Sequence, residues 1–190
     1  MIRAFKATSI LLLLGLTATF AQADEYASTI ETFRNAGESG QYFDTSVGYA
    51  VFPTIGKGGI GIGGAYGKGQ VYKGGELIGK SSMAQATIGL QLGGQAYSQI
   101  IFFENDTALN DFTAGNFEFS AEASAVAITA GASATASTGG GASAGASGGK
   151  NDATTTSAGY RKGMATFTVA KGGLMYEAAL GGQKYSYEAL

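Results

Sequence analysis

The chain has 190 residues, among them 32 Gly and one Pro, and no His, Cys or Trp. At 45% apolar and 11% aromatic, with a formal charge of −2, it is too hydrophobic for a disordered chain, and its length fits one compact domain. Missing His and Cys exclude Ser-His-Asp and Cys-His catalysis, an imidazole base, and thiolate or imidazole metal ligation. The inventory favours a protein that is not an enzyme and carries no metal or other cofactor.

Residues 1–23 read as an export signal. Arg3 and Lys6 form a basic start, Ser9–Phe20 carries the apolar core, and Ala21-Gln22-Ala23 is a small-x-small cleavage site. The apolar run falls short of a comfortable membrane span, and nothing later approaches roughly 18 uninterrupted apolar residues. Cleavage after Ala23 is expected to leave 24–190 as a single periplasmic or secreted domain. With Arg3 and Lys6 removed, 10 basic side chains face 14 acidic ones. No Cys follows the cleavage site to take a lipid anchor, and without disulfides the domain must be stabilised by packing.

Residues 24–36 predict an amphipathic helix, with Tyr26, Ile30 and Phe33 at i, i+4 and i+7, Ser28 and Glu31 in capping-box spacing, and Gly37 as its stop. A short helical piece is expected over Tyr42–Thr45, then a strand Tyr49–Phe52 that Pro53 ends. Met83–Leu92 alternates, with Ala84, Ala86, Ile88, Leu90 and Leu92 on one face. Gly93-Gly94 then turns the chain and Gln95–Phe103 returns. Asn105–Ala114 predicts a helix carrying Leu109 and Phe112, with an Asn/Asp start and Gly115 at its end.

Phe117–Ala127 alternates again, with Glu118, Ser120, Glu122 and Ser124 on the polar side. Met164–Val169 and Leu174–Leu180 predict a hairpin around Lys171-Gly172-Gly173, and Gln183–Tyr187 a last strand after the Gly181-Gly182 turn. Between Ala130 and Gly159 nearly every residue is Ala, Ser, Gly or Thr. Such a tract buries too little area to offset its ordering entropy and reads as a long mobile loop. The expected fold is α+β: a curved, mostly antiparallel sheet, a meander of hairpins, with the N-terminal amphipathic helix and a short helix near 105–114.

Three motif matches fail on context. Gly59-Ile-Gly61-Ile-Gly63-Gly64 contains G-x-G-x-x-G, but Ala65–Tyr72 after it is strand-like where a dinucleotide site needs a helix. Gly74–Ser81 is a formal P-loop string. It lacks a buried strand before it and a helix at Lys80, and a hairpin turn at Gly74-Gly75 explains the glycines better. Asn105-Asp-Thr107 is a glycosylation sequon, and helix capping is the simpler role for Asn105. Neither a nucleotide nor a nucleic acid is expected as a partner. Glu104 with Asp106, or Glu118 with Glu122, leaves a carboxylate-based hydrolase as a remote alternative, since Glu118 and Glu122 lie on a solvated strand face.

Charge is segregated. Lys57, Lys68, Lys73 and Lys80 stand between Thr45 and Phe103 against one Glu76, whereas Glu104–Glu122 holds five acids and no base. A second basic group near the C-terminus comprises Arg161, Lys162, Lys171 and Lys184. Lysines beside glycine-rich backbone suit an anionic partner such as a lipid headgroup, with Gly59, Gly61 and Gly63 as a flat strand face that another group can approach closely. Hairpin lysines that keep the protein soluble explain the same pattern.

Four strings carry a family resemblance: Gly61-Ile-Gly-Gly-Ala-Tyr-Gly-Lys-Gly69, Gln85-Ala-Thr-Ile-Gly-Leu-Gln-Leu-Gly-Gly-Gln-Ala-Tyr-Ser98, Phe117-Glu-Phe-Ser-Ala-Glu-Ala-Ser-Ala-Val-Ala127 and Lys171-Gly-Gly-Leu-Met-Tyr-Glu-Ala-Ala-Leu-Gly-Gly-Gln-Lys-Tyr185. In order along the chain, they resemble the SYLF domain in its bacterial exported branch. The resemblance implies a non-enzymatic lipid-binding domain whose fold is a curved antiparallel sheet with flanking helices. Eukaryotic members bind phosphoinositide membranes and, in some cases, actin, which an exported protein would not meet. Those members contact membranes through a basic amphipathic segment. Residues 24–36 depart from it, holding Asp24, Glu25 and Glu31 against Arg34, so their apolar stripe reads as core packing.

The resulting expectation is anionic phospholipid or phosphate headgroups bound through Lys57, Lys68, Lys73 and Lys80 on glycine-rich strands and turns (Gly59, Gly61, Gly63), with Arg161 and Lys162 as helpers. A small outer-membrane β-barrel or an envelope structural protein is the alternative. Against the barrel, Ile100-Ile-Phe-Phe103 breaks the dyad alternation and two amphipathic helices are predicted.

Overall fold

The computed structural model describes residues 24–89, 95–120, 124–128, 159–171, 178–179 and 182–190. Helix α1 (24–35) buries Tyr26 and Phe33 and half-buries Ile30, so the predicted stripe is its packing face. Ser28 does not start it. That residue lies within the helix, where its carbonyl accepts a hydrogen bond from the Thr32 hydroxyl at 2.9 Å. The end of α1 is satisfied by buried Ser39, whose hydroxyl donates to the Phe33 carbonyl at 2.6 Å. Helix α2 (Tyr42–Thr45) follows where the sequence places it.

Strand β1 (Gly48–Lys73) runs through Pro53 instead of stopping there. The register of β1 on β3 (Gln95–Phe103) shifts between Phe52 and Ile55, so the missing N–H falls in a ladder irregularity. The Pro53 carbonyl is used all the same, accepting from Ser98 Oγ at 2.7 Å. β1 also folds back on itself. Gly74 N–H donates to the Val47 carbonyl, Gly48 abuts Tyr72 and Lys73, and the space above Gly67 and Gly69 is filled by Ile55 and Phe52. Its first half pairs with β3 and its second with β2 (Glu76–Gly89). The reversal lies around Gly58 and Gly59; φ of +149° at Gly59 is a backbone that side chains disfavour.

Gly74 and Gly75, at φ +57° and +87°, make the two-residue turn from β1 to β2. Helix α3 (Asp106–Thr113) is capped by Asn105, whose side-chain oxygen accepts from Ala108 N–H at 3.0 Å. The predicted strand Phe117–Ala127 divides. β4 (Phe117–Glu118) pairs with β8 (Lys184–Ala189), while β5 (Ser124–Ile128) pairs with β6 (Met164–Lys171) near the opposite edge. Alternation marks an extended chain, and it does not say which neighbour that chain joins. With β7 (Ala178–Ala179), the order is β4-β8-β2-β1-β3-β6-β5-β7, antiparallel except for β5–β6.

The sheet curls into a half-barrel, giving an α+β fold. Gln99 on β3 and Tyr185 on β8 are separated by β2 and both halves of β1, yet Gln99 Nε2 donates to the Tyr185 hydroxyl at 2.7 Å. Strands about 4.8 Å apart bring those positions together only across the inside of a curl. The inner face, closed by α3, collects Phe52, Ile55, Val71, Met83, Ile101, Phe103, Phe112 and Tyr185. Over β1, β3 and β6 the outer face is covered by α1 and α2, which bury Val51, Ile100, Phe102, Phe167 and Val169. Hence all of Ile100–Phe103 is buried: this strand is covered on both sides.

The predicted signal segment 1–23, the predicted turns at Gly93-Gly94 and Gly172-Gly173, Gly181, Glu122, most of the predicted strand over 174–180 and the tract from Ala130 to 158 lie outside the described residues.

Candidate functional site

Two regions gather polar side chains. Inside the curl, Gln183 Nε2 donates to the Tyr97 hydroxyl at 3.1 Å, and the Tyr185 hydroxyl donates to Gln183 Oε1 at 2.5 Å. Gln99 Nε2 reaches both the Tyr185 hydroxyl and Gln183 Oε1. Gln99 Oε1 and Thr168 Oγ1, at paired positions of β3 and β6, have no hydrogen-bond partner among the described residues. Burial pushes the Tyr97 phenol up to about 12 and Tyr185 well above its ordinary value. Neutral amides and phenols held this way order the interior and supply neither a nucleophile nor a base at neutral pH.

The second region is the outer face over the C-terminal half of β1, β2 and β8. Side chains here alternate cleanly. Ala65, Val71, Ser81, Met83 and Tyr185 are buried on the inner side, while Gly64, Tyr66, Lys68, Lys80, Ala84, Ala86, Lys184, Ser186 and Glu188 are exposed. No described element covers this half of the outer face. Register fixes its rows: Gln70–Lys80–Glu188, Lys68–Ser82–Ser186, Tyr66–Ala84–Lys184 and Gly64–Ala86. Lys68 and Lys80 are therefore diagonal neighbours, with side chains starting roughly 7–8 Å apart. Lys184 adds a third cation, 3.6 Å from Glu118. Tyr66, 54% exposed, is the one large hydrophobic side chain exposed within the rows.

The other nominated residues stand elsewhere. Lys57, half-buried, lies opposite Gln95 beside the reversal of β1, next to Gly59. Gly61 and Gly63 sit in the β1–β2 ladder opposite Gly89 and Thr87. Lys73 ends β1 and is ion-paired with Asp106 at 2.8 Å. Arg161 and Lys162 are exposed at the turn into β6. There Arg161 exchanges backbone hydrogen bonds with Met164, and Lys162 has φ +50°. The structure thus groups Lys68 with Lys80, adds Lys184 and Tyr66, and leaves Lys57, Lys73, Arg161 and Lys162 apart. Alternation outward from the Gly74-Gly75 turn is the signal that bears on Tyr66, although a bulge shifts it.

Of the carboxylate pairs, Asp106 is held by Lys73 and Glu118 by Lys184. The described residues contain no group of three His, Cys, Asp or Glu side chains able to hold a metal. Gly79, Lys80 and Ser81 lie inside β2, with no helix opening at the P-loop-like string. Among the described residues no helix is long and apolar enough to cross a membrane.

A half-barrel filled inside, with part of its outer side uncovered by any described element, offers a surface. The family model Ysc84, described as a Las17-binding protein actin regulator, matches residues 84–188, more than half of the chain. The chain belongs to this family, which bears out the SYLF resemblance. The match begins at Ala84, so the string Gly61–Gly69 precedes it. Comparison with curated proteins gives no match.

Proposed function

We propose that this protein is an exported, non-catalytic lipid-binding protein that contacts anionic phospholipid or another phosphate-bearing headgroup through its lysines. The observation that carries the reading is the placement of Lys68 and Lys80 as diagonal neighbours on a stretch of outer face that no described helix covers. Lys184, in the adjoining row with Tyr66 and Ala84, adds a third cation to the face, and membership of a family tied to lipid and actin supports a binding role. Each exposed lysine near an anionic surface contributes on the order of 1 kcal/mol, less as salt rises. Export, read from residues 1–23, directs the protein to envelope lipid and away from actin.

Vesicle co-sedimentation of the purified protein tests this. Phosphatidylcholine vesicles should leave it in the supernatant, and vesicles containing phosphatidylglycerol should carry it down. Equal binding to both, or undiminished binding after Lys68→Gln with Lys80→Gln, overturns the reading. Mass spectrometry of the protein recovered from cells checks export separately, through an N-terminus at Asp24.

A further inference from the structure

The open outer face is graded as well as basic. Its rows pass from Gln70, Lys80 and Glu188, through Lys68 and Ser82, to Tyr66 and Ala84, and then to Gly64 and Ala86. Charge thins toward the reversal of β1: Lys184 ends the Tyr66–Ala84 row, engaged by Glu118 at 3.6 Å, and the sequence has no Asp, Glu, Lys or Arg between Lys57 and Lys68, nor between Lys80 and Glu104. Tyr66 stands where the lysines give way to small residues, and with the terminal Leu190 it is one of two large apolar side chains left exposed among the described residues. Gly64, Ala84 and Ala86 around it are too small to shield it. A phenol on an otherwise smooth patch bordered by lysines has the polarity of the membrane interface, where amphipathic rings sit at headgroup depth above apolar chains.

Resting on the lipid reading above and going beyond it to a binding mode, we infer that this face is the membrane-contact face. Tyr66 enters the interfacial layer of an anionic bilayer beside Ala84 and Ala86, while Lys68 and Lys80 reach phosphates from the adjoining rows. Charge complementarity selects the occupant. The rows hold three lysines against the single acid Glu188, so a second copy docked through the same face would bring like net charge together, whereas an anionic bilayer neutralises the lysines and accepts the apolar end. Helix α1 is not the contact element in this mode. Its apolar stripe is already buried against the sheet, and it is tied there by Glu25, which meets Lys171 at 3.2 Å and accepts from the Thr54 hydroxyl at 2.6 Å.

The chain has no Trp, so Tyr66→Trp places a single indole reporter at this position. With vesicles containing phosphatidylglycerol, its emission should shift to the blue and be quenched by a lipid-borne quencher near the headgroups. Tyr66→Ser should lower vesicle binding several-fold, and that loss should persist at high salt, unlike the loss on Lys68→Gln. Binding of the Tyr66→Trp variant with unshifted, unquenched indole emission overturns the inference and leaves the lipid reading standing. Absence of vesicle binding in the parent protein overturns both. Circular dichroism confirms that each variant is folded. Should Tyr66→Ser abolish self-association in sedimentation and leave vesicle binding unchanged, the face is a contact between copies and the inference fails.

Discussion

Gln99 on β3 donates to the Tyr185 hydroxyl on β8 across the inside of the half-barrel, and Tyr185 directs its own proton to Gln183 Oε1. All three side chains are buried, so this chain of bonds ties the two sides of the sheet together without any charge. Tyr185→Phe keeps the ring and its contacts with Phe52 and Phe112 but removes the hydroxyl between the two amides. Gln99 and Gln183 keep their bond to each other at 3.2 Å, so the change removes the two bonds made by the hydroxyl, at about 0.5–1.5 kcal/mol each. Urea denaturation should show that loss with an unchanged slope, because the surface exposed on unfolding stays the same.

The same burial makes stability fall in alkali. Tyr26 and Tyr97 are pushed up to about 12, chiefly by desolvation, against an ordinary value of 10.0, and Tyr185 lies well above that value too. In the unfolded chain these phenols lose their protons near pH 10 while the folded protein still holds them. The unfolded state then binds fewer protons, so stability must decrease as pH rises. Denaturation midpoints should be level below about pH 9 and drop steadily from about pH 10 to 12. A midpoint that stays level through that window would show that these rings are not held neutral by the fold.

Period and turn chemistry made much of the fold legible. Asn105 capped α3 as its position promised, Tyr42–Thr45 formed α2, and the stripe Tyr26, Ile30, Phe33 was buried. What escaped was register. From the Gly74-Gly75 turn, Lys73 faces Glu76 and Tyr72 faces Leu77, and unbroken pairing would set Lys68 against Ser81, placing Lys68 and Lys80 on opposite faces. Ile78 is an extra residue in β2: Val71 faces Gly79, and the shift returns both lysines to one face. Gly79 is the one residue at 77–79 that fits a bulge, and in a chain with 32 glycines it does not single out this place. Pro53 misled for a related reason, since an irregular ladder absorbs the missing donor. Met83–Leu92 misled through its small residues: Ala84 and Ala86 alternate like a core face but point to solvent, and Met83 is buried in their place.

The reversal of β1 depends on glycines at close approaches, and two of them give opposite predictions. A side-chain carbon on Gly48 would collide with the Tyr72 carbonyl oxygen and crowd the Lys73 Cα, both backbone atoms that cannot swing aside. Gly48→Ala should cost at least about 1–3 kcal/mol, as overpacking a tight site does. Gly56 lies in the same strand, with nothing within 4 Å of the point where a side-chain carbon would stand. Gly56→Ala should leave stability unchanged or raise it by about 0.4–1 kcal/mol, by narrowing the unfolded ensemble. Equal effects at the two positions would mean that the halves of β1 do not lie against each other.

Lysines that look alike in the sequence should differ in binding, and salt separates them. Lys68 and Lys80 lie on the face that no described element covers, whereas Lys73, at the turn of the β1–β2 hairpin, is ion-paired with Asp106 of α3. For a membrane to recruit Lys73, that pair must first be given up. At about 1 kcal/mol per lysine, Lys68→Gln and Lys80→Gln should each weaken binding to anionic vesicles roughly fivefold. Their effects should add approximately, because each cation meets its own region of headgroup charge. Lys73→Gln should change binding little and stability by less than about 1 kcal/mol, as is usual for an exposed pair. Raising salt from about 0.1 M to 1 M shortens the screening length from about 10 Å to 3 Å, and should bring Lys68→Gln and Lys80→Gln toward the parent protein. Co-sedimentation across that range reads all three variants. If Lys73→Gln proved the most damaging, the contact would lie at the α3 end of the sheet, on a surface that Lys68 and Lys80 do not share.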